Sequence, residues 1–536
     1  MATTAEPDKQ PKSRIGEKKS PGVLRSSAVV GAMTMLSRLL GLARDILFAR
    51  FLGAEASADA FYVAFKIPNF LRRLFAEGAF AQAFVPVLSE YREQGSVAAV
   101  RNFIDRITGC LGSVLIALTV FVVIASPLVV GIFGMGFLLK NPDKFGLTVD
   151  LLRITFPYLL LISLTGLAGA ILNSYDRFAV PAFTPVLLNV TLIVAAAFVA
   201  PMMVEPAYAL AWGVLVAGVV QMLFQIPFLL RLGLLPHPKI EWGDESVIRV
   251  LKLMAPAMFG VSVSQINLLF DTVLASFLPD GSISWLYFSD RLTELPLGVF
   301  GVGIATVILP SLSRQFVRGA ESFSQTLDWA IRLILLIGAP AALALMLLAE
   351  PILFTLFQYD QFKPQDVRMA TYSLWAYATG LTAFMLIKVL ASGYFSRQDM
   401  KTPVRIGVIA MLSNMVLNIA FVVPAHFLWQ IGHAGLALAT SCSAFINAGL
   451  LFRGLKRAGV YQTNPGWPRF FTRAIVANLA MAAVLYLGAL ELPDLISAPA
   501  GVRLVWVLGL CALGLAVYIL ALLLAGLRLR DFRPLN

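Results

Sequence analysis

From residue 23 to residue 527 the chain is a succession of apolar runs, each ended by a short polar or Pro/Gly-rich stretch. A membrane-spanning helix needs about 20 mainly apolar residues. Runs of at least that length lie at about 23–50, 57–90, 100–134, 148–173, 180–203, 206–231, 246–278, 282–314, 323–357, 366–396, 402–424, 433–457, 467–490 and 500–527. The pattern predicts an all-α polytopic membrane protein with 14 transmembrane helices. Residues 1–22 are polar, with Pro7, Pro11, Gly16, Pro21 and five basic side chains, and read as a disordered tail. Arg38 and Arg44 interrupt the first apolar run, which argues against a cleavable signal peptide.

The runs also repeat. Asp45-Ile-Leu-Phe-Ala-Arg-Phe-Leu52 aligns with Asp271-Thr-Val-Leu-Ala-Ser-Phe-Leu278 at an offset of 226. At the same offset Ala209-Leu-Ala211 and Arg231-Leu-Gly233 match Gly435-Leu-Ala437 and Arg457-Ala-Gly459. An offset kept at both ends of so long a stretch points to a duplicated six-helix unit. Chance matching among Leu/Ala/Gly-rich helices is the competing explanation. Because six is even, the two copies share an orientation, and a pseudo-twofold axis along the membrane normal relates them. The expected organisation is a tail (1–22), an N-lobe of helices 1–6 (23–233), a C-lobe of helices 7–12 (234–460), helices 13–14 (461–527) and a second tail (528–536), with a cavity between the lobes.

Composition agrees: 59% of residues are hydrophobic and 13% charged, against about 45–50% and 25% in soluble domains. The mean hydropathy of +0.81 excludes a soluble domain on a single anchor. The 42 Lys and Arg against 30 Asp and Glu leave +12, which in a soluble protein would suggest nucleic acid. Here it is a topology signal. With the N-terminus cytoplasmic, 28 of the cations fall on the cytoplasmic side and six on the other (Lys140, Lys144, Arg153, Lys363, Arg368 and Arg503). By the positive-inside rule both termini are cytoplasmic. Cys110, Cys442 and Cys511 show no CxxC spacing, and His237, His426 and His433 fall in expected loops. With no HExxH or GxxxxGK[ST] motif, metalloprotease and ATP-driven pump readings lose support.

The remaining eight cations, Arg38, Arg44, Arg50, Lys66, Arg72, Arg73, Arg291 and Lys388, lie within the expected helices. Helix 2 holds Lys66, Asn69, Arg72, Arg73 and Glu77 around Pro68. At roughly 2.5–3.5 kcal/mol per central charge, its four charges cost on the order of 10 kcal/mol in lipid, so this helix must face a polar cleft. At 100° per residue Lys66, Arg73 and Glu77 share a stripe, as do Arg38 and Asp45 on helix 1. Two readings of these charges stand side by side. They are internal ion pairs tying helices together, or they form an anion site. In the first two helices six cations face three acids (Asp45, Asp59, Glu77), so pairing alone leaves positive charge over. Asp290, Arg291, Glu294 and Lys388 are nearly balanced. Arginine's planar fork suits phosphate oxygens, so a phosphate or diphosphate is the natural partner of the surplus.

These residues carry a family resemblance. Ser37-Arg-Leu-Leu-Gly-Leu-Ala-Arg-Asp45, Asp59-Ala-Phe-Tyr-Val-Ala-Phe-Lys-Ile-Pro-Asn-Phe-Leu-Arg-Arg-Leu-Phe-Ala-Glu-Gly-Ala-Phe80 and Phe84-Val-Pro-Val-Leu-Ser-Glu90 closely resemble the MurJ (MviN) family. So do Ser289-Asp-Arg-Leu-Thr-Glu-Leu-Pro296, Pro310-Ser-Leu-Ser313 and Tyr394-Phe-Ser-Arg-Gln-Asp-Met-Lys-Thr-Pro403. The family comprises lipid II flippases of the multidrug/oligosaccharidyl-lipid/polysaccharide exporter superfamily. The resemblance implies a transporter in the bacterial inner membrane, not an enzyme. It would carry undecaprenyl-diphosphate disaccharide-pentapeptide to the outer leaflet by alternating access. It implies that Arg38, Arg44, Arg72 and Arg291 bind the substrate, with Ser37, Asp59, Asn69, Arg73, Glu77, Asp290 and Lys388 supporting the cavity. Helices 13 and 14 would form a groove for the lipid tail. Some members resemble sodium-coupled carriers, and Asp271, Asn414, Asn418 and Thr440 are the matching oxygen ligands here, though such Asn and Thr residues also serve as packing glue. No bound cofactor is expected; sodium, proton or membrane-potential coupling all stay open. Membrane lipids are expected partners, cell-wall synthesis or division proteins are open, and nucleic acid is not expected. Rivals are an exporter of another lipid-linked glycan or of a drug, and a non-transporting cell-wall scaffold. Cationic-drug exporters would present acids rather than surplus arginines to the cavity.

Overall fold

The structure is a computed structural model that describes residues 21–73, 79–463, 465–492, 496 and 498–527. Among these residues the chain is helical throughout, without a strand. The first half contains α1 (Pro21–Leu52), α2 (Ala56–Arg72), α3 (Ala79–Gln94), α4 (Val97–Ile124), α5 (Ser126–Phe133), α6 (Met135–Lys140), α7 (Pro142–Thr155), α8 (Tyr158–Ser174), α9 (Ala179–Val194) and α10 (Pro206–Arg231). The second contains α11 (Glu245–Ser276), α12 (Ser282–Pro296), α13 (Val302–Arg318), α14 (Ala320–Leu347), α15 (Ala349–Phe357), α16 (Pro364–Phe395), α17 (Lys401–Trp429) and α18 (Gly432–Arg457). Two helices follow, α19 (Trp467–Leu490) and α20 (Ala500–Leu524). Eleven helical stretches among the described residues are long and apolar enough to cross a membrane; α1, the α2–α3 pair and α11 are not among them.

Several expected helices are subdivided. The run at 100–134 breaks at Ala125 and again at Gly134, giving α4, α5 and α6. The run at 282–314 becomes α12, one π-helical turn at Leu297–Gly301 directly after Pro296, and α13. Proline withholds a ladder hydrogen bond, and π turns are common where a helix serves a site. The fourth run begins earlier than expected, at Pro142, so Lys144 belongs to α7 and is buried rather than a loop cation. His426 and His433 are helical, not in loops. His433 is buried, with its Nε2 2.9 Å from the Met369 carbonyl.

Neighbour relations recur in both halves. In the first, α1 packs on α9, α9 on α10, α8 on α10 and α2 on α7. In the second, α11 packs on α17, α17 on α18, α16 on α18 and α12 on α16. The halves also end alike. Gly233 and Gly459 both take φ +67° after their last helix. The next amide turns back to a carbonyl five residues earlier, Leu234 to Leu229 at 3.0 Å and Val460 to Leu455 at 3.1 Å. Only glycine adopts this left-handed cap without Cβ strain. α19 and α20 pair with each other and reach the body through α14 and α15.

Candidate functional site

One end of the bundle, where α2, α7 and α12 begin, is closed by contacts between the halves. The Asp59 carboxylate at the start of α2 accepts the Gly281 and Ser284 amides at 2.8 and 2.9 Å, the Ser284 hydroxyl at 2.7 Å and the Lys144 ammonium at 2.9 Å. It therefore caps the positive end of α12 from the opposite half of the chain. Lys144 also pairs with Asp280 at 2.7 Å. Nearby, the Gly136 amide donates to Ser276 Oγ at 2.9 Å and Lys140 to the Phe277 carbonyl at 2.6 Å. Arg50 pairs with Asp360 and Lys363 with Glu55, all four half exposed or more. Aromatic packing backs the seam: the Tyr62 and Tyr287 rings stack at 4.2 Å, and Phe288 lies 4.7 Å from Phe357. Asp59 thus belongs to this seam.

Deeper along the bundle, α1 and α12 face each other across a charged array. Asp45, only 1% exposed, is its centre. Its Oδ1 accepts Arg44 Nη2 at 2.6 Å, Arg44 Nε at 2.9 Å and the Tyr287 hydroxyl at 2.7 Å. Its Oδ2 accepts Arg291 Nε at 2.8 Å. Arg44 reaches on to Asn189 Oδ1 at 3.1 Å, and the Asn189 amide donates to the Ser37 carbonyl at 2.8 Å. Arg291 also pairs with Glu294 at 3.0 Å. A carboxylate from one half therefore holds one arginine from each half. Asn189 and Tyr287 were missed in the sequence; each is polar within an apolar run.

Beside the array is a cavity of ≈ 380 Å³, lined by Ser37, Arg38, Asp45, Asn189, Arg291, Glu294 and Lys388 among others. Arg38 and Lys388 have no side-chain partner among the described residues, and Lys388 is exposed about two turns before the end of α16. The Arg38 guanidinium lies on the bare backbone of Gly298 in the π turn, where an added Cβ would fall 1.8 Å from Nη1. Asp290, on the next exposed position of α12, interacts electrostatically with Glu294, Arg291, Lys66 and Arg73. Arg72 donates from Nε to Asn69 Oδ1 at 3.2 Å and is not a wall of this cavity. Glu77 lies outside the described residues.

The expected cation ligands also meet. Asn418 Nδ2 donates to Asp271 Oδ1 at 2.6 Å and to Asn414 Oδ1 at 2.8 Å, while Asn414 Nδ2 lies 3.4 Å from Thr440 Oγ1 and from Ser443 Oγ. Asn418 Oδ1 and Asn267 Oδ1 are buried without a partner among the described residues. One carboxylate, neutral carbonyl oxygens and two unused acceptors fit a hard monovalent cation better than a transition metal.

Residues 48–495 match the family model described as lipid II flippase MurJ. A probable lipid II flippase MurJ of Vibrio cholerae serotype O1 is 51% identical over 96% of this chain and 98% of its own length. The lipid II flippase MurJ of Burkholderia cenocepacia is 44% identical over 87% and 90%. Among solved structures, a lipid II flippase MurJ in an inward closed conformation superposes with a TM-score of 0.77 at 28% identity, covering 92% of this chain and 98% of that one. An inward-facing multidrug resistance MATE family transporter of the MOP superfamily, 16% identical, shares the fold at a TM-score of 0.65 over 81% of this chain and 98% of its own. The protein is therefore a polytopic helical membrane transporter, and the chain belongs to the MurJ lipid II flippase family.

Proposed function

We propose that this chain flips lipid II from the cytoplasmic to the periplasmic leaflet of the bacterial inner membrane, with both termini cytoplasmic. α1, the α2–α3 pair and α11 complete the bundle as spans whose charges face the cavity, making 14. The recurring neighbour pairs and matching caps support two six-helix lobes related by a pseudo-twofold axis. The central observation is the array in which Asp45 holds Arg44 and Arg291 from opposite lobes beside Arg38 and Lys388, which have no side-chain partner among the described residues. In the empty carrier the Asp45 carboxylate occupies the two guanidinium forks. A diphosphate, with more oxygens and more charge, competes for them, while Arg38 and Lys388 supply cations that cost no existing pair. The Asp59 seam keeps the periplasmic end shut during loading. The polar headgroup enters the cavity, and the polyprenyl tail stays in lipid along α19 and α20. Arg72, held by Asn69, and Arg73 supply charge along the entry face of α2.

The Asp271 cluster supports a coupled monovalent cation held by Asp271, Asn414, Asn418 and Thr440. Such a cation would neutralise the buried carboxylate and favour one packing of α11 on α17.

The test is flipping of lipid II in proteoliposomes by Arg44→Ala and Arg291→Ala. Both are expected to lose at least tenfold in rate while inserting normally. In cells, depletion should accumulate lipid II on the inner face. An unchanged distribution, with both variants still supporting growth, would favour the scaffold reading instead.

A further inference from the structure

A second cavity of ≈ 460 Å³ lies within the second half, between α11, α16, α17 and α18. It shares no wall residue with the charged cavity. Its α17 wall includes Pro403, Gly407, Met411 and Asn414, spaced four, four and three residues apart and so on one helical face, with Val404 and Ala410 beside them. The rise from Pro403 to Asn414 is about 16 Å at 1.5 Å per residue. The cavity therefore runs from just inside the α16–α17 turn to Asn414, a member of the Asp271 cluster. Its α18 wall carries Asn447, Ser443 and Thr440, again on one face and ending at the same cluster. Polar residues that only glue helices together bond across the interface. Asn447 does not: its Oδ1 is buried and has no partner among the described residues, and Asn267 Oδ1, on the opposite wall, is in the same position.

We propose that this cavity is a hydrated vestibule through which a monovalent cation reaches and leaves the Asp271 cluster from the α16–α17 end of the bundle, separately from the lipid substrate. The inference rests on reading that cluster as a cation site. The space is many times that of one water, and the unused carbonyl oxygens of Asn447 and Asn267 provide the polar partners that water and a partly hydrated cation require. The remaining walls, among them Phe384 and Ile387, are apolar and offer no competing charge. Weak neutral oxygens followed by a single carboxylate let an ion enter and also leave.

Gly407 allows a direct test, since a Cβ there meets nothing within 4 Å. A bulky side chain at this position projects into the cavity without displacing backbone. Full-length protein reconstituted in nanodiscs is loaded with radioactive sodium and washed out. Gly407→Phe is expected to slow sodium exchange at least tenfold while leaving equilibrium affinity within twofold. Gly112→Phe, at an equally open position on α4 far from the cavity, should change neither. Exchange at the wild-type rate in Gly407→Phe overturns the vestibule. Should Gly407→Phe fold poorly, Met411→Cys in a background with Cys110, Cys442 and Cys511 replaced by serine gives the second reading. The thiol should react with a charged methanethiosulfonate from the α16–α17 side, more slowly in sodium; no reaction also overturns the proposal. If the wild type binds sodium no better than Asp271→Asn, the cation site itself is refuted and the vestibule with it. That result is distinct from normal binding with unaltered exchange.

Discussion

Asp45 joins an arginine of its own half to one of the other half. With 1% of its surface exposed it balances Arg44 and Arg291. Removing one member of such a buried set leaves charge uncompensated, typically at a cost of about 3–5 kcal/mol. Asp45→Ala should therefore lower the thermal unfolding midpoint in detergent and abolish flipping. The double variant Asp45→Ala, Arg44→Ala removes both fully buried charges and should regain much of the midpoint but none of the flipping. Recovery of both would mean that the array is only structural. Gly298 gives a milder perturbation. A side chain there collides with the far end of Arg38 rather than with backbone, so Gly298→Val should fold with a nearly unchanged midpoint yet bind lipid II at least several-fold more weakly. Equal affinity would mean that Arg38 takes no part in binding.

Among the helices, α12 depends on the other half for its cap. Its own N-cap residue, Gly281, has no side chain to offer, and Asp59 does the work across the seam. Asp59→Ala frees two amides and leaves Lys144 with Asp280 alone, so the seam should open more often. A cysteine at Leu42, a wall residue of the charged cavity, should then react faster with an impermeant reagent applied from the periplasm; an unchanged rate would remove Asp59 from control of closure. The loop before α17 behaves more simply. Hydrogen bonds from the Thr402 hydroxyl and amide hold the Asp399 carboxyl below its usual range. Its stabilisation is thus complete above the unfolded value near 3.9 and is lost as pH falls through the lower folded value. Asp399→Ala should cost about 1 kcal/mol with no pH dependence between 5 and 8 in thermal unfolding, whereas a slope in that range would refute the cap. Much of this architecture is legible in the sequence, because apolar runs such as those of α16 and α18 report length directly. Helical spacing likewise put Asn414 and Asn418 on one face. The Lys144 pairing, the Asp59 cap and the Asn189–Arg44–Tyr287 links are not legible, because they join residues 85 to 243 positions apart and no local pattern encodes which buried charges meet.

For the whole molecule, the sequence repeat pairs Asp45 with Asp271, and the two halves use that aspartate differently: the first accepts from arginines, the second from the side-chain amides of Asn418 and Asn267. On the proposed function, these two positions serve an anion site in one lobe and a cation site in the other, so electrical work would be done on both legs of a cycle. Carrying about two negative charges from a negative interior to the outside is favoured by roughly 4–5 kcal/mol per 100 mV. Arginines that move with the diphosphate reduce this gain. On the return, however, the emptied cationic cavity is drawn toward the same negative interior, so the field assists whichever leg carries net charge. Flipping in proteoliposomes should therefore slow when the potential is clamped to zero by potassium and valinomycin with sodium and proton gradients held constant, and slow further when its sign is reversed. Neutralising Lys388, a cavity cation outside the Asp45 array, should alter the steepness of that dependence more than the rate at zero potential. A rate indifferent to the clamp would mean that chemical gradients alone drive the cycle, leaving the Asp271 cluster as its energy input.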